Sequence, residues 1–477
     1  MSTTCCAKES GHGHNSVGTE SLAVKAARLA DALDEGIRAF LSAGEQNLGD
    51  LEMQIERESR ELLRLAAEKG AQQKADAAPP VCPVCRQALS RVTDDHARSF
   101  ECKFGSLTIQ RSRGYCKRCR KWRFPADTVL GLAETAGYSP RVQEMAALLA
   151  SKMPVKEASA VLEHLTGVKL PPATLDREAR RQGERACQVR RQEDKRAGQV
   201  PSKAAQPELV LEPYQMIIQL DAWNIRERDE WGRTGALRKL GQEPERWHWV
   251  YTGTCFRLDQ RGKTAGGRPV ISERGFVATR EGIDGLREQL HAEALRRGLG
   301  QAAGVLVIGD GAMWIWRLAD DRFQEARQRL DFYHAVQHLA VVGRALYGED
   351  QAKLKSWLRP LAHQLKHQSS VKVVARLEEI LAQLPAGATA QAVEKEVNYF
   401  HEHKDRMDYR AARRRGEPIG SGAIESTCHQ TQCRFKRPGQ YWSRKGDEAL
   451  LCLETFWRNG RWHLLFPHHR QVDLSKN

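Results

Sequence analysis

Three carboxylates in this chain stand where acids can do phosphodiester chemistry. Asp310 ends the apolar run Gly304-Val-Leu-Val-Ile-Gly, and Asp221 ends a similar run, Tyr214-Gln-Met-Ile-Ile-Gln-Leu. Short runs of this kind, rich in β-branched residues, read as buried strands of an α/β sheet, whose strand ends carry ligand sites. Glu425 lies in Pro418-Ile-Gly-Ser-Gly-Ala-Ile-Glu-Ser-Thr, where a Gly-Ser-Gly turn opens a helix. Two strand-end aspartates and a helical glutamate offer the hard oxygen ligands preferred by a pair of Mg²⁺ or Mn²⁺ ions about 4 Å apart. One such ion activates the attacking oxygen of a phosphodiester and the other stabilises the leaving oxygen. Taken alone, Asp310 also reads as a cap on the helix beginning near Ala312. Gly309 and Gly311 would let a backbone, a metal or a phosphate come close to it.

A second constellation is Cys82-Pro-Val-Cys85 with Cys116-Lys-Arg-Cys119. Each CxxC turn aims two thiolates at one tetrahedral ion, so the pair describes a zinc ribbon, with a β-hairpin filling the long gap between the knuckles. Four reduced structural cysteines are the alternative. Cys102, between the knuckles, reads as a small core residue. Lys117, Arg118, Arg120, Lys121 and Arg123, with Trp122, make a basic surface suited to phosphate.

The elements that must position these groups follow from the whole chain of 477 residues, long enough for several domains. Its 75 Lys+Arg against 60 Asp+Glu give a net charge of +15, which points to a polyanionic partner, most simply nucleic acid. No stretch approaches an apolar membrane span, and the first twenty residues lack a signal-peptide core, so a cytoplasmic, nucleoid-associated protein without a membrane role is expected. Clustered cysteines in a reducing compartment serve metal more often than disulfides.

In chain order, residues 1–80 read as a disordered tail followed by two helices with a narrow apolar face, forming either an antiparallel hairpin or a dimerising arm. Residues 81–130 hold the zinc ribbon. Residues 135–200 read as three short helices, the last carrying Arg177, Arg180 and Arg181; this fits either a helix-turn-helix DNA reader or an ordinary three-helix bundle. Strands ending at Asp221, then at Trp247–Phe256 and Arg274–Thr279, precede a helix and the strand ending at Asp310, within a first core segment at 208–345. Helices fill 346–415. Residues 416–477 complete the core with the Glu425 helix. A patch of nine Lys/Arg against two acids between 410 and 446 includes Arg413, Arg414, Arg415, Arg434, Lys436 and Arg437 and would hold DNA phosphates beside an anionic metal site. Tyr441 and Trp442 among them either stack on an unpaired base or anchor the C-terminal helix.

Leu-Asp221-Ala-Trp, Ile-Gly-Asp310-Gly-Ala-Met-Trp-Ile-Trp, Asp331-Phe-Tyr-His334 and Gly-Ser-Gly-Ala-Ile-Glu425-Ser together resemble bacterial insertion-sequence DDE transposases of the ISKra group, which is similar to the Mutator-like superfamily. The resemblance runs from the zinc ribbon to about Trp462. It implies an α/β, RNase H-like mixed sheet with an all-helical insertion between the second Asp and the Glu. It also implies two Mg²⁺ or Mn²⁺ ions on Asp221, Asp310 and Glu425, and cleavage and strand transfer of double-stranded DNA at the element's terminal inverted repeats and its target. The group's (Cys/Asp)-x-x-His signature falls on the accessory pair Asp331 and His334, with His338 one turn on. For these histidines a zinc, a phosphate or metal-shell contact, and a satisfied interior position are all open. A homo-oligomer is expected. The competing readings are a zinc-ribbon regulator that binds DNA without cutting it, and an RNase H-like structure-selective nuclease.

Overall fold

The computed structural model describes residues 21–132, 137–199, 213–228, 232–242, 245–267, 269–443 and 445–467; the expected disordered tail and residues 200–212 before the first core strand lie outside them. The chain forms two compact units, one made of Met1–Met145 and Ser159–Pro171, the other of Ala146–Ala158 and Pro172–Asn477.

In the first unit α1 (Leu22–Ser42) packs along α2 (Leu48–Asp76). Asn47 and Asp50 cap α2 reciprocally, satisfying backbone donors that a helix start leaves open. The ribbon follows as β1 (Ser90–Thr93), β2 (Arg98–Cys102), β3 (Gly105–Ile109), β4 (Arg113–Cys116) and β5 (Lys121–Arg123), then the short α3 (Pro125–Val129). β1, β4 and β5 form one sheet, and β2 and β3 are the hairpin that fills the gap between the cysteine pairs. Ala75, Phe100, Cys102, Leu107 and Ile109 make the core, so Cys102 is the small core residue expected of it.

Helices α4 (Pro140–Lys152) and α5 (Val155–Thr166) are divided between the units. The expectation of three short helices fails at the third. α6 runs from Pro172 to Gln199 and belongs to the second unit, because its buried face packs on a helix near the C-terminus.

The second unit is built on a five-stranded mixed sheet of β6 (Gln215–Arg228), β7 (Glu245–Arg257), β10 (Gly275–Thr279), β11 (Gly304–Gly309) and β12 (Arg327–Leu330), in the order β10-β7-β6-β11-β12. β7 is antiparallel to β6 and β10, whereas β11 is parallel to β6 and β12. Between β6 and β7 lies α7 (Thr234–Lys239); β8 (Arg261–Lys263) and β9 (Pro269–Ile271) form a small ribbon; α8 (Gly282–Arg296) and α9 (Met313–Arg322) cover one face. Alternation along β6 decides the layers: Met216, Ile218 and Leu220 join Leu286, Leu290 and Trp316 on that face, while Ile217 joins Phe256, Leu306 and Ile308 on the other.

Beyond β12 come α10 (Phe332–Tyr347), α11 (Gln351–His367), α12 (Ser370–Gln383), α13 (Ala388–Glu402) and α14 (Tyr409–Arg414). They share a core of Leu339, Leu361, Leu365, Leu377, Val397 and Phe400. Their two ends meet, since Phe332 N–H donates to Ile419 C=O at 3.0 Å. Arg329 of β12, fully buried, donates to Asp408 at 2.8 Å and to Glu417 at 2.7 Å, clamping the start of the helical stretch to its end. The chain closes with α15 (Gly422–Phe435), α16 (Gly446–Arg458) and α17 (Trp462–Leu465). α16 packs on α6 with Gly183 against Ala449, and Arg190 reaches Glu448 at 2.7 Å.

Candidate active site

β6, β11 and β12 lie side by side and parallel where β6 meets its neighbour, and their registers place the acids. The last pairs are Ile308 with Gln219 and Gly309 with Leu330. Two residues further on the first pair of strands, and one further on the second, Asp310 comes level with Asp221 on one side and Asp331 on the other. Three carboxylates therefore stand in a row across adjacent strands, Asp310 and Asp331 just past the ends of β11 and β12 and Asp221 within β6, which runs on to Arg228 instead of ending at the acid as expected. The third was missed as a full member of the row because Arg327-Gln-Arg-Leu is too polar to read as a core strand; its arginines are consumed by the Glu417 clamp.

Each acid is held locally. Asp221 Oδ1 accepts the Ala222 N–H at 2.7 Å. Burial raises Asp221 first, and the Asp310 charge adds to this, against hydrogen bonds from Ala222 and Cys428. Asp310 Oδ1 accepts the Ala312 N–H at 3.0 Å, so the capping role that the sequence left open is present. The Tyr399 hydroxyl of α13 donates to the Asp310 carbonyl at 2.9 Å. What the flanking glycines admit is protein: a Cβ at Gly309 would meet Ile315, and one at Gly311, whose φ is +105°, would lie 2.6 Å from the Tyr399 hydroxyl.

Asp331 is fully buried as the N-cap of α10, accepting the His334 N–H at 2.8 Å and the Ser421 hydroxyl at 2.8 Å, with the Ser421 N–H also donating to it. Burial, the largest influence, works to raise Asp331, but these hydrogen bonds outweigh it and hold the carboxyl low. His334 Nδ1 lies 3.3 Å from Asp331 Oδ1, and the imidazole is raised by Asp331 first, with Asp310 and Glu425 contributing. Glu425, in the first turn of α15, has Oε1 2.7 Å from the Ser421 hydroxyl. Ligand atoms of Asp331, His334 and Glu425 all lie within 4.8 Å of one another. Gly420 is glycine because a Cβ there would press on Tyr333 and Asp331.

One hydroxyl proton on Ser421 can serve Asp331 or Glu425 but not both. The second oxygen pair, at 2.7 to 2.8 Å, needs a proton or a cation to be stable. Asp331 is buried, His334 half-buried and Glu425 exposed, and this group of carboxylate oxygens and an imidazole nitrogen could hold a metal ion. His338, one turn beyond His334, is a half-buried, satisfied histidine: Nδ1 is 2.6 Å from Glu396 and the ring stacks on Tyr399 at 3.7 Å.

The cysteines converge separately. Cys85 and Cys116 Sγ are 3.4 Å apart, Cys82 and Cys119 3.9 Å, and all four lie within 4.8 Å of one another. A tetrahedron with Zn–S of about 2.3 Å has edges of about 3.8 Å, so this four-cysteine cluster could hold a structural zinc.

Two residues expected at a DNA surface are interior. Arg434 is 6 % exposed, donates to Ala150 C=O at 2.9 Å and lies over the Trp442 ring; burial, then the Arg437 charge, brings it down to about 10. Trp442 is 7 % exposed, stacks on Phe435 at 4.9 Å and donates Nε1–H to Phe435 C=O at 2.8 Å, so it anchors rather than stacks on a base. Arg415 reaches the surface but is engaged by Glu417 and Asp408, Arg180 by Asp176 and Ser443, and Arg181 by Glu178. Arg437 pairs with Glu157 at 2.9 Å. Arg177, Arg413, Arg414 and Lys436 are exposed. No described helix is long and apolar enough to cross a membrane.

No family model matches the chain, and no curated protein does. Among solved structures it is similar to a chain of the Drosophila P element transposase strand transfer complex, with a TM-score of 0.33 and 11 % identity over 69 % of this chain and 94 % of that one. A likeness at that level stands as a likeness alone.

Proposed function

We propose that this chain is a metal-dependent DNA transposase of the DDE type, with an RNase H-like core, that cleaves insertion-sequence ends and joins them to target DNA. The observation that carries the reading is the row of Asp221, Asp310 and Asp331 across three adjacent strands, with Glu425 brought to Asp331 and His334. Asp221, Asp310 and Glu425 would hold two divalent ions, which supply activation of the attacking oxygen and stabilisation of the leaving oxygen when bound. Asp331 extends this set. It fixes His334 and Ser421, and through Ser421 it sets the rotamer of Glu425. The raised His334 imidazole places a proton donor beside the acids, suited to a phosphate oxygen. The Cys82, Cys85, Cys116 and Cys119 zinc is structural in this scheme. Exposed Arg177, Arg413, Arg414 and Lys436 would contact DNA phosphates.

The test is cleavage of DNA carrying the element's own ends by the purified protein, with and without Mg²⁺. Asp310→Ala should abolish cutting while sparing most DNA binding, and an Asp310→Ala protein that cut at the wild-type rate would refute the site. Cleavage without a strand-transfer product would identify a nuclease, and metal-independent binding alone a regulator.

A further inference from the structure

Past the acids, β6 leaves the body of the sheet and continues with β7 as a two-stranded ribbon, paired from Asn224 with Trp249 to Arg228 with Glu245. Its two faces differ. The odd residues Trp223, Ile225 and Glu227 are buried, whereas Asn224 and Arg226 share the other face with their partners Trp249 and Trp247. Those two tryptophans are 55 % and 54 % exposed, on a strand whose other aromatics pack. Cations frame them. The Arg226 guanidinium lies 4.9 Å from the Trp247 ring centroid, and Lys436 Nζ lies 5.9 Å from it while donating to Asn224 Oδ1 at 3.1 Å. On the opposite edge of β6, Trp442 N–H donates to Arg226 C=O at 2.9 Å, and Arg228 covers the Tyr441 ring at 3.9 Å.

We infer that Trp247 and Trp249, with Arg226 and Lys436, form a stacking platform for unpaired bases of a DNA strand. Exposed indole faces are costly in water unless something flat covers them, and flanking cations select a partner with phosphates beside its rings. The inference rests on the proposed function for its setting. Asn224 lies three residues beyond Asp221 on β6, about 10 Å along the strand at about 3.3 Å per residue, and this odd spacing turns its side chain to the face of the ribbon opposite Asp221. Lys436 follows the helix that carries Glu425, and Arg226 lies on the strand that carries Asp221, so the platform's two cations share their elements with two of the acids.

Binding in the presence of a chelator tests this apart from cleavage. The full chain is titrated with a duplex bearing a short single-stranded end that contains 2-aminopurine, and with the same duplex fully paired. Trp247→Ala and Trp249→Ala should each weaken binding of the tailed duplex roughly tenfold and restore 2-aminopurine fluorescence, leaving the paired duplex unaffected. Trp249→Phe, which keeps a ring, should recover most of the loss. Lys436→Ala and Arg226→Ala should each lower the salt slope for the tailed DNA by about 0.7. Equal losses on both DNAs, or no loss on either, would overturn the platform, as would selective loss on single-stranded RNA of the same sequence with DNA unchanged. Failure of metal-dependent cutting with these binding results intact would instead remove only the proposed reaction.

Discussion

Glu417→Gln tests how the helical stretch between Asp310 and Glu425 is closed. Glu417 is 5 % exposed and receives Arg327, Arg329 and Arg415. Burial pushes its carboxyl up, but the hydrogen bonds from these three arginines more than offset that and bring it from the ordinary 4.5 to about 2. The depression, 4.5 less about 2, converts at about 1.4 kcal/mol per unit to about 3 kcal/mol. Solvent around Arg327 and Arg415, whose side chains are 40 % and 42 % exposed, reduces this to about 2 kcal/mol. A depressed carboxyl contributes stability that is present above the unfolded value and lost as pH falls through the folded one. The wild type should therefore lose this contribution between about pH 4.5 and about pH 2, and the glutamine variant should lack it at every pH. Hydrogen–deuterium exchange on peptides of α10 and α14 reads the opening free energy of this region. The variant should exchange faster at pH 7, with the difference shrinking below pH 4.5. A difference that stays constant down to pH 3, or none at pH 7, would refute the clamp.

Elemental analysis should find one zinc per chain, bound by Cys82, Cys85, Cys116 and Cys119, and none in Cys116→Ala, whose first unit should melt earlier; a folded wild-type protein free of zinc would count against the ribbon. Gly183→Ala should destabilise by about 1 to 3 kcal/mol, because its Cβ would lie 2.5 Å from the Ala449 carbonyl and neither helix backbone can yield; an unchanged melting temperature would show that α6 and α16 are not held together. Arg434→Met should leave DNA affinity unchanged in a filter-binding titration, since the guanidinium is enclosed by Trp442 and Ala150; a loss as large as that of Lys436→Ala would show that the arginine reaches DNA.

Apolar strand-forming runs followed by a carboxylate were legible because burial on both faces leaves an unbroken apolar signature; Asp310 does follow the end of β11, whereas β6 runs seven residues past Asp221 to Arg228. The helices of the long stretch after Asp331 were legible from Leu354, Leu358, Leu361 and Leu365 at helical spacing. β12 was not, since its buried Arg329 is made tolerable by Asp408 and Glu417, residues about eighty to ninety positions away that no local window includes. Nor was the fate of the basic patch. Arg434 and Lys436 are two residues apart, one inside and one outside, and only the position of Trp442 decides which. Trp247 and Trp249 read as strand residues because alternation with His248 and Val250 is what any half-buried strand shows; their exposure becomes visible only once the ribbon leaves the sheet.

The helical stretch does more than fill sequence between two acids. Its ends are fixed by the Arg329 clamp and the Phe332 to Ile419 hydrogen bond, which set Ser421 over Asp331 and so deliver Glu425. Its far side reaches back: α13 lays Tyr399 on the Asp310 carbonyl, into the space that Gly311 leaves empty, and His338 stacks on that ring while bonded to Glu396. Asp310 and Glu425, distant in sequence, are thus both held by the same helices, one through its backbone and one through a shared serine. A site held in this way gathers negative charge: burial raises Asp221 and the Asp310 charge adds to it, while Asp331, with Asp310 and Glu425, raises His334. Cations bound there would be drawn by that charge, so ion binding and the packing of the helical stretch on the sheet should reinforce one another.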